Sequence, residues 1–202
     1  MIITKIQPQK NDKRVSIYID GEFAFGLMVE TQYKYNLNEG MDIDNNFIET
    51  VLLEEEQLKA KSIALNFLAH RKRTEKEITD KLKEKGFEES IVDKTLVYLK
   101  NYGLVDDKDY ANSFVKDKVK LNKHGPQRIK YDLYRKGVSQ EIIKEVLMED
   151  DEYPRALELA KKKMSSYRND DRDKIYRKLG GFLQRRGYSY DCISKVLKEL
   201  IK

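Results

Sequence analysis

The apolar positions along the chain follow two rhythms. Over residues 1–43 they alternate. "ITKIQPQ" and "VSIYID" place apolar side chains at every second position, as half-buried strands do, and "EFAFGL" follows across Asp20-Gly21. An Asp-Gly pair between two such runs predicts a tight hairpin, because both residues tolerate the positive φ of its turn. A short helix is expected near Val29 to Tyr35, and "NLNEGMDID" reads as turn, short strand and exit. Residues 1–43 are therefore expected to form a small β-rich module.

From Asn45 the period becomes helical. Ile48, Val51 and Leu52, then Ala60, Ile63, Ala64, Phe67 and Leu68, share one stripe of a long helix over about Asn45 to His70. Asn45 or Asn46 is the expected cap, and the run Glu54-Glu55-Glu56 is expected to be solvated. Thr74-Glu75-Lys76-Glu77 fits a capping box, in which the Thr74 oxygen accepts an amide and Glu77 reaches back to the threonine amide.

One corner is then written three times: "LKEKGFEESIVDKTL", "LYRKGVSQEIIKEVL" and "LQRRGYSYDCISKVL". Aligned on Gly86, Gly137 and Gly187, the position four before is Leu82, Leu133 and Leu183. The position one before is Lys85, Lys136 and Arg186, and one after is Phe87, Val138 and Tyr188. Glu88, Ser139 and Ser189 stand two after, where a helix cap belongs, and Val92, Ile143 and Ile193 stand six after. Glycine can take the left-handed conformation that ends a helix, the apolar residue tucks under the corner, and the next helix starts. Another amphipathic segment precedes each corner: Ala64 to Leu68, Tyr110 to Val119 and Ala156 to Met164. The fold class is mainly α: three tandem three-helix, helix-turn-helix-like repeats of about fifty residues, each leaning on its neighbour. The expected divisions are 1–43, 44–105, 106–153 and 154–202, the second including the long helix.

Composition adds little until charge is resolved along the chain. The 202 residues are 40% apolar and 37% charged, with no tryptophan. No apolar run approaches a membrane span, and "MIITKIQPQK" lacks a signal-peptide core. A single cysteine, Cys192, fits a reducing compartment, so a cytoplasmic protein is expected. The net charge is +5, yet residues 153–202 carry 14 basic and 6 acidic side chains. A localised basic end predicts a polyanion or an acidic protein surface as partner.

Little catalytic chemistry is on offer. His70 and His124 have no cysteine–histidine partner set for zinc, Cys192 falls on an apolar helix position, and no glycine loop cradles a phosphate. Asp106, Asp107 and Asp109 read as helix capping, and Asp150, Asp151 and Glu152 after Glu149 as helix end and linker. No enzyme, metal or cofactor is expected. The informative class is the cations of the third repeat: Lys161, Lys162, Lys163, Arg168, Arg172, Arg177, Lys178, Arg185 and Arg186, with Tyr167, Tyr176, Tyr188 and Tyr190 between them. Cations neutralise phosphates and tyrosines stack on unpaired bases, so this cluster is the expected partner- and nucleic-acid-binding set. The competing reading is a solvated helix surface with tyrosines in the core. Reading of duplex DNA by the corners is disfavoured, because the second helices begin Glu88-Glu89, Gln140-Glu141 and Tyr190-Asp191, and carboxylates there repel phosphates.

Four segments together, "ALNFLAHRKRTEKEITDKLKEKGF", "DDKDYANSFVKDKV", "GPQRIKYDLYRKGVSQEII" and "LGGFLQRRGYSYDCISKVL", resemble the RecX family of bacterial regulatory proteins. Arg71, Arg73, Thr74 and Glu77 match the family's R-x-R-[ST]-x-x-E stretch, and Asp106, Asp107, Tyr110 and Ala111 its [ND]-D-x-x-[FY]-A stretch. The resemblance covers about residues 58–199. It implies an elongated, curved array of three-helix repeats that binds the RecA recombinase filament on single-stranded DNA. It further implies inhibition of filament growth, strand exchange and coprotease activity, with no catalytic site or cofactor. A monomer is expected. A nucleic-acid-binding or transcriptional regulator acting without a recombinase is the alternative, and a structural adaptor a third possibility.

Overall fold

The computed structural model describes residues 1–10, 12–148, 150–167 and 169–201. It divides into two compact units, Met1–Arg71 with Thr79–Asn101, and Lys72–Ile78 with Tyr102–Lys202.

The first unit opens with an antiparallel sheet of order β1-β2-β3, formed by β1 (Ile3–Pro8), β2 (Arg14–Ile19) and β3 (Glu22–Met28). Asp20 and Gly21 both take positive φ, 49° and 91°, as the tight β2–β3 turn requires. The alternation buries Val15 and Ile17 on one face, in a core with Ile3, Leu27, Leu37, Ile43 and Val51. Helix α1 (Val29–Lys34) follows. The short strand expected in "NLNEGMDID" is reduced to one bridge, between Ile2 and Asp42.

Helix α2 (Asn45–Ala69) begins one residue earlier than the asparagine caps predict: the Asp44 carboxylate accepts the Phe47 amide at 2.7 Å. Within it Glu55 overturns the expectation of a solvated acidic run, being 1% exposed. Its Oε2 accepts the Met28 amide at 2.7 Å and the Thr31 hydroxyl at 2.9 Å. Its Oε1 faces Arg14 and Lys59 at 3.2 and 3.5 Å, ion pairs by distance although no hydrogen bond closes on that atom. One carboxylate thus ties β2, β3 and α1 to α2. Further along, α2 packs on α4 (Glu89–Asn101), and Gln57 donates to the Thr95 hydroxyl at 2.8 Å. Between them in the chain lies α3 (Glu75–Glu84), which buries Ile78 and Leu82.

The second unit holds two complete three-helix sets. The first is α5 (Asp107–Lys120), α6 (Pro126–Arg135) and α7 (Gln140–Leu147). The second is α8 (Tyr153–Met164), α9 (Arg172–Arg185) and α10 (Tyr190–Leu200), with a 3-10 turn at Ser165–Tyr167. Each surrounds its own core, Tyr110, Ala111, Ile129, Leu133, Val138 and Ile143 in one, and Ala156, Ala160, Leu179, Leu183, Val196 and Leu197 among others in the next. Asp106 caps α5 through the Lys108 and Asp109 amides.

All three corners adopt the expected stop. Gly86, Gly137 and Gly187 have φ of 84°, 85° and 86°, and the following amide returns to the carbonyl of Leu82, Leu133 or Leu183 at 3.2 to 3.3 Å. Ser139 and Ser189 then cap α7 and α10.

Candidate interaction surface

The corner glycines are also where one three-helix set meets the next. Counting from each glycine, position −12 of one set bonds to the carbonyl at position −1 of its successor. The Thr74 hydroxyl donates to Lys136 O at 2.7 Å, and the Gly125 amide donates to Arg186 O at 2.9 Å. A side chain placed on Gly137 would put its Cβ 2.4 Å from Lys76 Cβ, and one on Gly187 would sit 2.4 Å from the Arg128 amide nitrogen. Glycine is therefore needed twice over, for its φ and for close approach.

The recurring cation before the glycine belongs to the same joint. Lys136 pairs with Glu77 at 2.8 Å, and the Arg186 guanidinium donates to Asn122 O at 2.6 Å. Lys85, which no three-helix set precedes, is exposed. His124 lies in the same loop as Asn122, its Nδ1 buried without a hydrogen bond, and burial with nearby Lys118 and Arg186 pushes its pKa down.

The nine cations singled out from sequence are not one open patch. Lys162 pairs with Glu158 at 2.8 Å, Lys161 reaches Glu199 at 3.8 Å, and Lys178 meets Asp170 at 2.5 Å. Lys174 also binds Asp170, and the two lysines hold that carboxyl below its ordinary range. Lys163 lies over the Tyr167 and Phe182 rings at 5.4 and 5.8 Å, and Arg172 donates to Ile201 O at 3.3 Å. Arg168 lies outside the described residues. Arg177 and Arg185 are exposed on α9 without an ion-pair partner among the described residues. Tyr188 is buried and donates to Lys123 O at 2.8 Å, as the core reading of the tyrosines requires, whereas Tyr176 and Tyr190 are exposed. Cys192 is buried and its thiol is pushed up to about 11 by burial, so it packs rather than reacts.

Two grooves on this unit occupy equivalent places in successive three-helix sets. A groove of about 640 Å³ lies between α9 and α10, lined among others by Arg177, Gly180, Gln184, Tyr190 and Ile193. A second, of about 420 Å³, lies between α6 and α7, lined by Gln127, Lys130, Tyr131, Tyr134, Gln140 and Ile143. Positions −10, −7, −3, +3 and +6 from the glycine recur in both, and Gln127 lines both. Gln127, Lys130 and Tyr134 were not among the candidates from sequence. Their signal was the repeat spacing itself, extended from the apolar positions to the polar ones between them.

Among the described residues, no group of three or more His, Cys, Asp or Glu side chains is placed to hold a metal ion, and no helix is long and apolar enough to cross a membrane.

Four family models match the chain: the regulatory protein RecX N-terminal domain over residues 1–44, and the first, second and third RecX three-helix domains over 60–99, 106–147 and 149–197. The regulatory protein RecX of Clostridioides difficile (strain 630) is 40% identical over 204 residues, covering 99% of this chain and 96% of that one. The regulatory protein RecX of Clostridium acetobutylicum is 40% identical over 206 residues, covering 98% and 95%. A crystal structure of regulatory protein RecX superposes with a TM-score of 0.79 at 30% identity over 98% of both chains. That of RecX from Lactobacillus salivarius gives 0.69 at 30% identity, over 73% of this chain and 97% of the other.

Proposed function

Because the chain belongs to the RecX family of regulatory proteins, we propose that it binds the RecA recombinase filament on single-stranded DNA and restrains it. Restraint covers filament growth, strand exchange and coprotease activity. The protein works by occupancy, as a cytoplasmic monomer, with no reaction and no cofactor. Its modules are residues 1–43, 44–105, 106–153 and 154–202.

The observation that carries the reading is the joint made twice in the same register, from Thr74 to Lys136 and from Gly125 to Arg186. Joints in one register, the first from a hydroxyl and the second from a backbone amide, suit repeats that meet a partner which is itself a polymer. Weak contacts to successive protomers then add through effective concentration. The surplus cations of residues 153–202 suit an acidic recombinase surface or the DNA it carries.

The test is recombinase ATPase on single-stranded DNA with the purified chain added. The wild type should inhibit. The triple reversal Lys161→Glu, Lys162→Glu and Arg185→Glu should weaken inhibition about tenfold or more while keeping helical content. Arg186 is left unchanged because it holds the joint at Asn122. No inhibition by the wild type, with tight sequence-dependent binding to duplex DNA, would instead favour a transcriptional regulator.

A further inference from the structure

We infer that the two equivalent grooves form one track for a nucleic-acid strand, with unpaired bases stacking on exposed tyrosines and phosphates met by Lys130 and Arg177. This deepens the proposed function, on which it rests for its setting, by giving the strand a surface of its own.

The grooves share five positions counted from the corner glycine: Gln127 and Arg177, Lys130 and Gly180, Tyr134 and Gln184, Gln140 and Tyr190, Ile143 and Ile193. Gln127 lines both, so a ligand leaving one enters the other. Among the described residues, no carboxylate lines either groove. Lys130 and Arg177 have no ion pair among the described residues, whereas Lys161, Lys162, Lys174 and Lys178 each reach a carboxylate, of Glu199, Glu158 or the shared Asp170. The track thus carries two cations with no ion pair among the described residues, and Arg185 outside it likewise has none.

The ring faces select the ligand. Tyr134 is 62% exposed and Tyr190 84%, and neither ring packs on another aromatic ring among the described residues. Beside Tyr134, the Tyr131 ring lies 6.0 Å from the Arg128 guanidinium and 5.8 Å from that of Arg135. Exposed tyrosine rings with guanidinium groups near them are a surface for unstacked bases, and Gln127, Gln140 and Gln184 offer donors and acceptors to their edges. An acidic peptide would use the cations but has no need of the rings. A duplex keeps its bases stacked and out of reach. The first repeat shows what an unsuitable surface looks like: its −3 and +3 positions, Lys83 and Glu89, close on each other at 3.0 Å.

The test uses the full-length chain and a fluorescein-labelled oligo-dT of about 20 nucleotides, followed by anisotropy at about 50 mM salt. The chain has no tryptophan, so its emission is tyrosine emission and should be quenched on binding. Tyr134→Ala with Tyr190→Ala should lose about tenfold or more in affinity with an unchanged circular dichroism spectrum. Arg177→Glu should lose about as much, while Lys94→Glu, the same charge change on an exposed helix face elsewhere, should stay within about twofold. Full binding by the double tyrosine variant, an equal loss from Lys94→Glu, or polyglutamate displacing the strand by way of the same residues would each overturn the track. Each variant is also run in the recombinase assay. Inhibition by the wild type without tyrosine-dependent strand binding removes the track alone, whereas strand binding without inhibition removes the regulatory reading alone.

Discussion

Gly86 and Gly187 have nearly the same φ but not the same surroundings. A Cβ on Gly86 meets nothing within 4 Å, whereas one on Gly187 meets the Arg128 backbone at 2.4 Å. Gly86→Ala should therefore cost only the left-handed penalty, about 1–2 kcal/mol. Gly187→Ala adds overpacking against a backbone that cannot swing away, for a total of about 3 kcal/mol or more. Urea midpoints of the two variants check the difference, and equal shifts would contradict the close approach. Sequence made both glycines visible as helix stops. It did not distinguish them, because what a Cβ would strike is set by residues from another repeat. Glu55 makes the same point with opposite sign: its neighbours Glu54 and Glu56 hid a buried carboxylate inside an unremarkable acidic run.

At the scale of elements, the start of α3 is a cap and a joint at once. The Thr74 hydroxyl accepts the Glu77 amide at 3.2 Å and donates to Lys136 O at 2.7 Å, while Glu77 receives the Thr74 amide and pairs with Lys136. The capping box was legible in four consecutive residues. The second use of the same atoms was not, since Lys136 lies 62 residues away. Thr74→Val keeps the shape and removes both bonds, so it should destabilise by about 2 kcal/mol or more. Thr74→Ser keeps the hydroxyl and should recover most of that loss. Hydrogen exchange at the α3 and α6 amides should show the valine variant opening α3 and the joint together. If only the first turn of α3 loosens, the threonine is a cap and nothing more.

At the scale of the whole molecule, the basic surplus gathers in residues 153–202. Residues 153–202 keep their surplus of 14 basic over 6 acidic side chains after every acid is counted, so ion pairs on α8, α9 and α10 decide which cations stand open, not how large the surplus is. If the restraint of the recombinase is carried by that surplus, inhibition by the intact chain should weaken as salt is raised, because screening acts on exposed charges. The triple reversal at Lys161, Lys162 and Arg185 should flatten that dependence. Inhibition curves at about 50 and 200 mM salt measure it, and a salt-independent wild type would put apolar or hydrogen-bonded contacts in charge instead.

The sequence alone determined the local grammar: strand alternation and an Asp-Gly turn in the first module, and three glycine-stopped helical corners in register. These are short-range periodicities and φ preferences, which neighbouring residues dictate by themselves. Tertiary structure decided which charges are free. It buried Glu55 under Arg14, set Lys136 and Arg186 into joints between repeats, and placed Arg177 beside exposed tyrosines with no ion pair among the described residues. Ion pairs between residues dozens of positions apart depend on how helices pack, and packing is not written in any window of the chain short enough to read.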